Sequence, residues 1–294
     1  MNPESFPALY QSADSAAAHS QTTYLWLIRV QYLLLTIAAT ISIWFASSPD
    51  LYILYASVVT ASTGLLIYLG VRKPEKDWYG CRALAESIKT STWRYMMRAA
   101  PFQDAAGPTA AAIHFSDFLR AILEANRHVR DPISRRPATG NQITDEMNGV
   151  RAMPLYERVE KYKEHRILEQ RKWYAGKVTW NRRHFLFWIV LCGIVQSAAI
   201  VLALLRIKYD HLLIVWPTEP LLVLASSIVG WIQLKKYNEL ASAYNLTVHE
   251  IGILQTGLDT IDSEKKFSDF VNEAERAFSR EHTQWVARQT EQAP

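Results

Sequence analysis

Apolar residues in this chain gather into four long runs from which charges are largely excluded. Two of these runs, His184–Leu205 and Leu212–Leu234, hold about 22 residues each, and a helix of that length crosses the ~30 Å hydrocarbon core of a bilayer. Only Arg206, Lys208, Asp210 and His211 break the apolar pattern between them, so the tip is short and both ends return to the same side. The pairs Arg182/Arg183 and Lys235/Lys236 flank the open end of this hairpin. Basic residues concentrate beside membrane helices on the cytoplasmic face, which assigns these four to the inside, although Arg206 and Lys208 at the tip weaken the asymmetry.

The same unit occurs earlier. Tyr24–Ala46 is apolar, with Arg29 near its start, where a long side chain reaches back to the headgroups. Trp26, Tyr32 and Trp44 near its ends fit interfacial anchoring. Ser47-Ser48-Pro49-Asp50 reads as a turn into Leu51–Val71, which Arg72, Lys73 and Lys76 close. An Arg ahead of an apolar stretch ending in Ala46-Ser47-Ser48 is also the outline of a secretory signal, but the preceding arm with Glu4 and Asp14 argues against it. Residues 1–22, rich in Ala, Ser and Gln, predict a flexible or weakly helical cytoplasmic arm.

Each hairpin is followed by a long helical segment. In Asp77–Met97, Cys81, Leu84, Ala85, Ile88, Thr92 and Tyr95 fall on one helical face. In Tyr237–Gln255, Tyr237, Ala241, Tyr244, Val248 and Ile251 recur in steps of four and three, the spacing of a seam between packed helices. Tyr79/Tyr237, Ala85/Ala243 and Ile88/Leu246 coincide under one offset, which together with the repeated hairpins points to duplication. Between the hairpins Pro101–Pro108 breaks helix, and Phe115, Leu119, Ile122 and Leu123 form the apolar face of His114–Val129. Asp131–Gln142 reads as a loop, and Thr144 as the N-cap of Asp145–Ala152. Leu155–Lys177 predicts a long charged helix with Val159, Ile167, Trp173 and Tyr174 on its buried side. Ser263 caps a last helix striped by Phe267, Phe270, Val271, Ala274, Phe278 and Trp285. No segment alternates like a strand. The expected fold is all-α: four transmembrane helices as two hairpins plus a cytoplasmic helical body, both termini cytoplasmic.

A mean hydropathy of −0.06 hides this segregation. The net charge of +4 is accounted for by basic flanks of membrane helices, so no nucleic-acid partner is expected. Cys81 and Cys192, in a helical segment and a membrane run, cannot make a disulfide framework or a four-ligand zinc site. No phosphate-binding Gly loop, zinc-binding His pair or nucleophile elbow is present, so no catalytic residue, cofactor or metal ligand is expected. Glu157, Glu160, Glu164 and Glu169 interleave with Lys161, Lys163, Arg166, Arg171 and Lys172 as on a solvated, ion-paired helix.

Two groups of residues carry chemistry of their own. Arg127, Arg130, Arg135 and Arg136 cluster at and beyond a helix end; they either bind phosphates of a nucleotide or anionic lipid, or simply favour that C-terminus electrostatically. Within the membrane runs, Thr36 and Thr40 share a face, as do Ser57 and Thr60, and Gln196 lies near the middle of the third run. Such residues either let helices approach and hydrogen-bond or line a pore. Gln196 is the first pore candidate, because an amide meets water or ions without the cost of a buried charge.

KDWYGCRALAESIKTSTWRYMMRAAPF, QITDEMNGVRAMPLYERVEKYKEHRILEQRKWYAGKVTWNRRHF and FVNEAERAFSREHTQWVARQ resemble the SLATT proteins, the SMODS- and SLOG-associating two-transmembrane effectors. The resemblance covers nearly the whole chain as two modules in tandem, subtype 3 and then subtype 1. Behind the arm 1–22, residues 23–155 form the first module with hairpin 24–71, and residues 156–294 the second with hairpin 184–234. It implies a multi-pass protein of a bacterial inner membrane, serving a conflict or antiphage system. It further implies a pore-forming homo-oligomer in the lipid bilayer, gated by a nucleotide second messenger or a sensor protein. The rival expectation is a non-conducting, membrane-anchored scaffold that recruits a soluble partner through its cytoplasmic helices.

Overall fold

The computed structural model describes residues 2–44, 50–104, 107–212 and 215–290. The turn expected at Ser47–Pro49 lies outside them, as does the side chain of Trp285. Every regular element described is helical: α1 (Ala8–Ser42), α2 (Leu51–Arg72), α3 (Pro74–Met96), α4 (Pro108–Ala125), α5 (Arg130–Ser134), α6 (Asp145–Ala152), α7 (Leu155–Tyr162), α8 (Glu169–Tyr209), α9 (Thr218–Lys235), α10 (Tyr237–Gln255) and α11 (Glu264–Thr290). A π-helical turn, Lys163–Leu168, joins α7 to α8. Among the described residues three helical stretches are long and apolar enough to cross a membrane: Ala8–Ser42, Leu51–Met96 and Leu155–Tyr209. The chain separates into two compact units, each drawn from distant parts of the sequence.

Unit 1 comprises Met1–Gln21, Glu75–Gly176 and Ala243–Pro294. The face predicted on α3 is its centre: Cys81, Leu84, Ala85, Ile88, Thr92 and Tyr95 are all buried. Around them pack Phe102, Phe115 and Leu119, Met147 and Val150, Tyr162 and Ile167, and the α11 stripe Phe267, Val271, Ala274 and Phe278. Several of the aromatic rings meet edge-on, as their quadrupoles favour; Trp93 contacts Tyr162 with centroids 5.6 Å apart, and Tyr162 contacts Phe267 at 6.1 Å.

The N-terminal segment corrects the expectation of a flexible arm. Ala13, Ala16 and Ala17 are buried with Phe6 and belong to the unit 1 core. These alanines recur at i, i+3 and i+4, and their small side chains allow a close approach, with Leu9 and Tyr10 packed against the same core. The segment 138–146 fastens it: the Ala8 N–H donates to Asn141 O at 3.2 Å, the Leu9 N–H to Gln142 Oε1 at 3.1 Å, and the Ala138 N–H to Ser12 Oγ at 2.9 Å. Thr144 caps α6 as predicted, accepting from the Met147 N–H at 3.2 Å while donating to Ser5 O at 2.8 Å. The expected loop 131–142 is irregular only in part, since α5 takes its first residues.

Unit 2 comprises Thr22–Pro74 and Lys177–Ser242. Its character is inverted: Ile53, Val71, Leu186, Ile194, Leu204 and Ile207 are exposed, and a small cluster of Cys192, Ala225 and Ile228 is buried. Exposed apolar surface on this scale needs a non-aqueous neighbour. Tyr32 of α1 lies so close to α9 that a Cβ at Gly230 would stand 2.6 Å from its hydroxyl, which is why glycine occupies that position. Gln31 Nε2 donates to Ser62 Oγ across α1 and α2 at 2.9 Å, and the Arg29 guanidinium lies 4.9 Å from the Trp231 ring centroid.

The two halves share a backbone feature. α2 and α9 each end on one left-handed lysine, Lys73 at φ 45° and Lys236 at φ 47°, before α3 and α10 begin. Each of these N–H groups donates to the carbonyl four residues back, Leu69 O and Ile232 O, both at 3.0 Å. Positive φ costs a side-chain-bearing residue about 1–2 kcal/mol, so the same costly corner has been built twice.

Candidate functional site

The densest chemistry in the described residues is a set of buried arginines in unit 1. Arg166, in the π-helical turn, is 2% exposed, and Glu275 of α11 is fully buried. Arg166 Nε donates to Glu275 Oε1 at 2.8 Å and Nη2 to Oε2 at 2.6 Å, a two-pronged pairing that the planar guanidinium favours. Tyr162 Oη adds a third donor to Oε1 at 2.9 Å. Burial opposes charge on Arg166, but the adjoining Glu275 more than offsets this and raises its pKa above the ordinary value. The Tyr162 phenol is pushed well up by burial and by the Glu275 charge, so it stays a donor. Arg158, Tyr162 and Arg166 stand four residues apart, a spacing that drifts in a regular α-helix; the wider π turn begins among them and keeps all three buried.

Two more arginines close the end of α3. Arg158 donates through Nη1 to Met97 O at 2.8 Å and through Nε to Met153 O at 3.0 Å, and pairs with Glu264. Arg151 donates to Tyr95 O and to Phe102 O, the latter at 2.7 Å, and pairs with Asp104. The last carbonyls of a helix have no intrahelical donor, so these side chains satisfy groups that burial would otherwise leave costly.

Sequence reasoning placed Arg166 on a solvated, ion-paired face, which the structure corrects. The signal that marks it is positional: Ile167 beside it and Tyr162 one turn before it are core, and Glu275 falls between Val271 and Phe278 in the α11 stripe. Trp173, expected on the buried side of the same stretch, is 43% exposed, while Tyr174 is buried. The π turn advances the helical phase, and extrapolation from Val159 at a constant period misses that.

Arg127, Arg130, Arg135 and Arg136 are all exposed. Arg127 pairs with Glu124, and Arg136 lies 2.9 Å from His19 Nδ1. Of the membrane-run candidates, Thr36 is half-buried and Thr40, Ser57, Thr60 and Gln196 are exposed. Thr36, Thr40 and Ser57 return their hydroxyls to the carbonyl four residues earlier on the same helix, at 2.8–2.9 Å. Gln196 makes no hydrogen bond with a described residue. On α8 the residues Arg183, Leu186, Phe187, Val190, Leu191 and Ile194 line an open groove of about 360 Å³. Among the described residues no three His, Cys, Asp or Glu side chains gather where they could hold a metal ion.

Helices of spanning length with lipid-type surfaces, together with a water-type helical unit, define an all-helical membrane protein. The family model for SMODS and SLOG-associating 2TM effector domain 3 matches residues 7–159, and that for domain 1 matches residues 162–285. The chain therefore belongs to the SLATT family, with subtype 3 followed by subtype 1 in one polypeptide. No curated protein and no solved structure matches it.

Proposed function

We propose that this protein is a membrane effector of a bacterial conflict or antiphage system that assembles several copies around a conduction path, opened by a nucleotide signal or a sensor partner. The observation that carries the reading is Gln196: an amide with two donors and an acceptor, exposed and unbonded in the middle of an apolar helix. Facing lipid it would forfeit its hydrogen bonds at a cost of about 2–7 kcal/mol, whereas water in a lumen or a neighbouring subunit satisfies it. Exposure of Thr40, Ser57 and Thr60 on α1 and α2 supports the same reading. α9 serves as a fourth span, its 18 residues extending about 27 Å. Two hairpins then leave both termini on the cytoplasmic side of the inner membrane, where the lysine and arginine flanks belong. Four helices of one copy pack without a lumen, so oligomerisation is part of the proposal. It acts without catalysis.

The deciding experiment is release of a small trapped dye from liposomes holding the full chain, with and without cyclic nucleotides, beside Gln196→Leu. Nucleotide-dependent release that the substitution alters is the expected result. No release from folded, inserted protein refutes it. The scaffold reading has one observation of its own, the exposure of Ile113, Tyr156, Leu246 and Ile253 on unit 1, and predicts capture of a soluble partner that Tyr156→Ser or Ile253→Ser abolishes.

A further inference from the structure

Among the described residues around Glu275 the cations outnumber the carboxylates available to them. Glu275 is committed to Arg166 and Tyr162, while Arg82 of α3 draws on both Glu86 at 2.6 Å and Asp14 at 3.0 Å. Two neighbouring arginines are left over. Arg94 of α3 makes no ion pair with a described residue, and its Nε is buried without a hydrogen-bond partner. Its pKa is lowered by burial, partly restored by Glu275, and lowered again by the charge of Arg276 on α11. Arg276, exposed, makes no ion pair with a described residue either. The same ridge carries two hydroxyls, Thr90 Oγ1 and Ser279 Oγ, facing each other at 3.5 Å, the outer limit of a hydrogen bond. Thr90 and Arg94 are one turn apart on α3, and Arg276 and Ser279 one turn apart on α11, so each pair shares a face.

We propose that Arg94, Arg276, Thr90 and Ser279 form a binding site for a phosphoryl anion on the α3–α11 ridge of unit 1. Two guanidinium groups, each one helical turn from the facing hydroxyls, supply planar donors matched to phosphate oxygens, and the hydroxyls supply two more. Bound phosphate provides a counter-charge that the described residues do not supply there. The ridge is thus the place where a phosphorylated signal is read; that consequence rests on the reading above, whereas the binding is independent of any pore.

The test is calorimetric titration of inorganic pyrophosphate into the full chain in phosphatidylcholine nanodiscs. Saturable binding is expected, weakened about tenfold or more by Arg94→Gln and by Arg276→Gln, the loss of a charge-assisted contact, and unchanged by Arg130→Gln or Arg135→Gln. Nanodiscs containing phosphatidic acid separate the sources: competition with pyrophosphate identifies a lipid headgroup, and its absence a free phosphate. Ligand-free Arg94→Gln should melt no lower than the parent, because it removes an unpaired, desolvated charge; should it fail to fold, the exposed Arg276→Gln carries the test. Absence of binding, or binding weakened only at Arg130 and Arg135, overturns the proposal. Dye release that fails while binding holds refutes the pore alone, and binding that fails while release holds refutes this site alone.

Discussion

Glu275→Gln removes one charge from the most enclosed ion pair described and changes little in volume. The carboxylate accepts three hydrogen bonds, two from Arg166 and one from Tyr162. The amide can accept only through its one oxygen and turns an NH₂ toward an arginine donor, so one guanidinium contact becomes donor against donor. Two unit charges about 4 Å apart interact by about 4 kcal/mol at the effective dielectric suited to protein sites. Breaking a buried pair by removing one partner costs about 3–5 kcal/mol, because the other charge stays desolvated. For a unit of this size that corresponds to a fall in Tm of about 6–20 °C. The assay is near-ultraviolet circular dichroism of the full chain in detergent, which follows the Trp93–Tyr162 environment through the melt. The companion variant Arg166→Met/Glu275→Leu should lie near the parent, since apolar replacements of a whole buried pair are often neutral or stabilising. A loss below about 1 kcal/mol in Glu275→Gln would sink the argument, as would a double variant no better than the single.

Four further outcomes follow from the geometry. Gly230→Ala should destabilise the protein by about 1–3 kcal/mol through overpacking, and Tyr32→Phe should restore part of the loss by withdrawing the hydroxyl it meets, both read from thermal inactivation in detergent. Lys73→Gly and Lys236→Gly should each stabilise by about 1 kcal/mol while the Ala variants do not, because only glycine relieves the left-handed strain. Tyr162 resists ionisation in the fold, so its contribution is present below the ordinary phenol value of 10.0 and drains away as pH rises above it; urea midpoints should fall above that pH, and less steeply in Tyr162→Phe. Cys81 is fully buried, and burial with the Asp77 charge pushes its thiol up to about 12; a thiol probe at pH 8 should therefore label native protein at Cys81 only after unfolding.

The helical class, the α3 core face, the Thr144 cap and the apolar helices were legible because each rests on periodicity or local hydrogen bonding. α10 shows how far that goes. Tyr237, Ala241 and Ile251 are buried as their spacing predicts, with Tyr244 and Val248 half-buried, but the repeat partners Ile88 and Leu246 differ, one in the core and the other 62% exposed. A duplicated pattern does not fix which face finds a neighbour. The arginine centre was illegible for a different reason: Arg158 and Arg166 have the composition of a solvated surface, and only their partners, more than a hundred residues away, make burial tolerable. The N-terminal helix escaped notice because alanine packs by smallness rather than by hydrophobic size. Gln196 stands out in the sequence because lipid leaves so few uses for an amide, and its role in a lumen is the proposal above.

The two family matches meet near residue 160, yet unit 1 takes helices from both sides of that point. Trp93, Cys81 and Ile88 of the first module are covered in part by Phe267, Val271 and Phe278 of the second. Scissors applied at the module boundary would thus not yield two smaller effectors; they would leave an N-terminal fragment with its core uncapped and a C-terminal fragment carrying Arg166 and Glu275 without the α3 wall that shields them. The two family matches are interlocked in one folded unit. Each half of the chain supplies part of the other's interior.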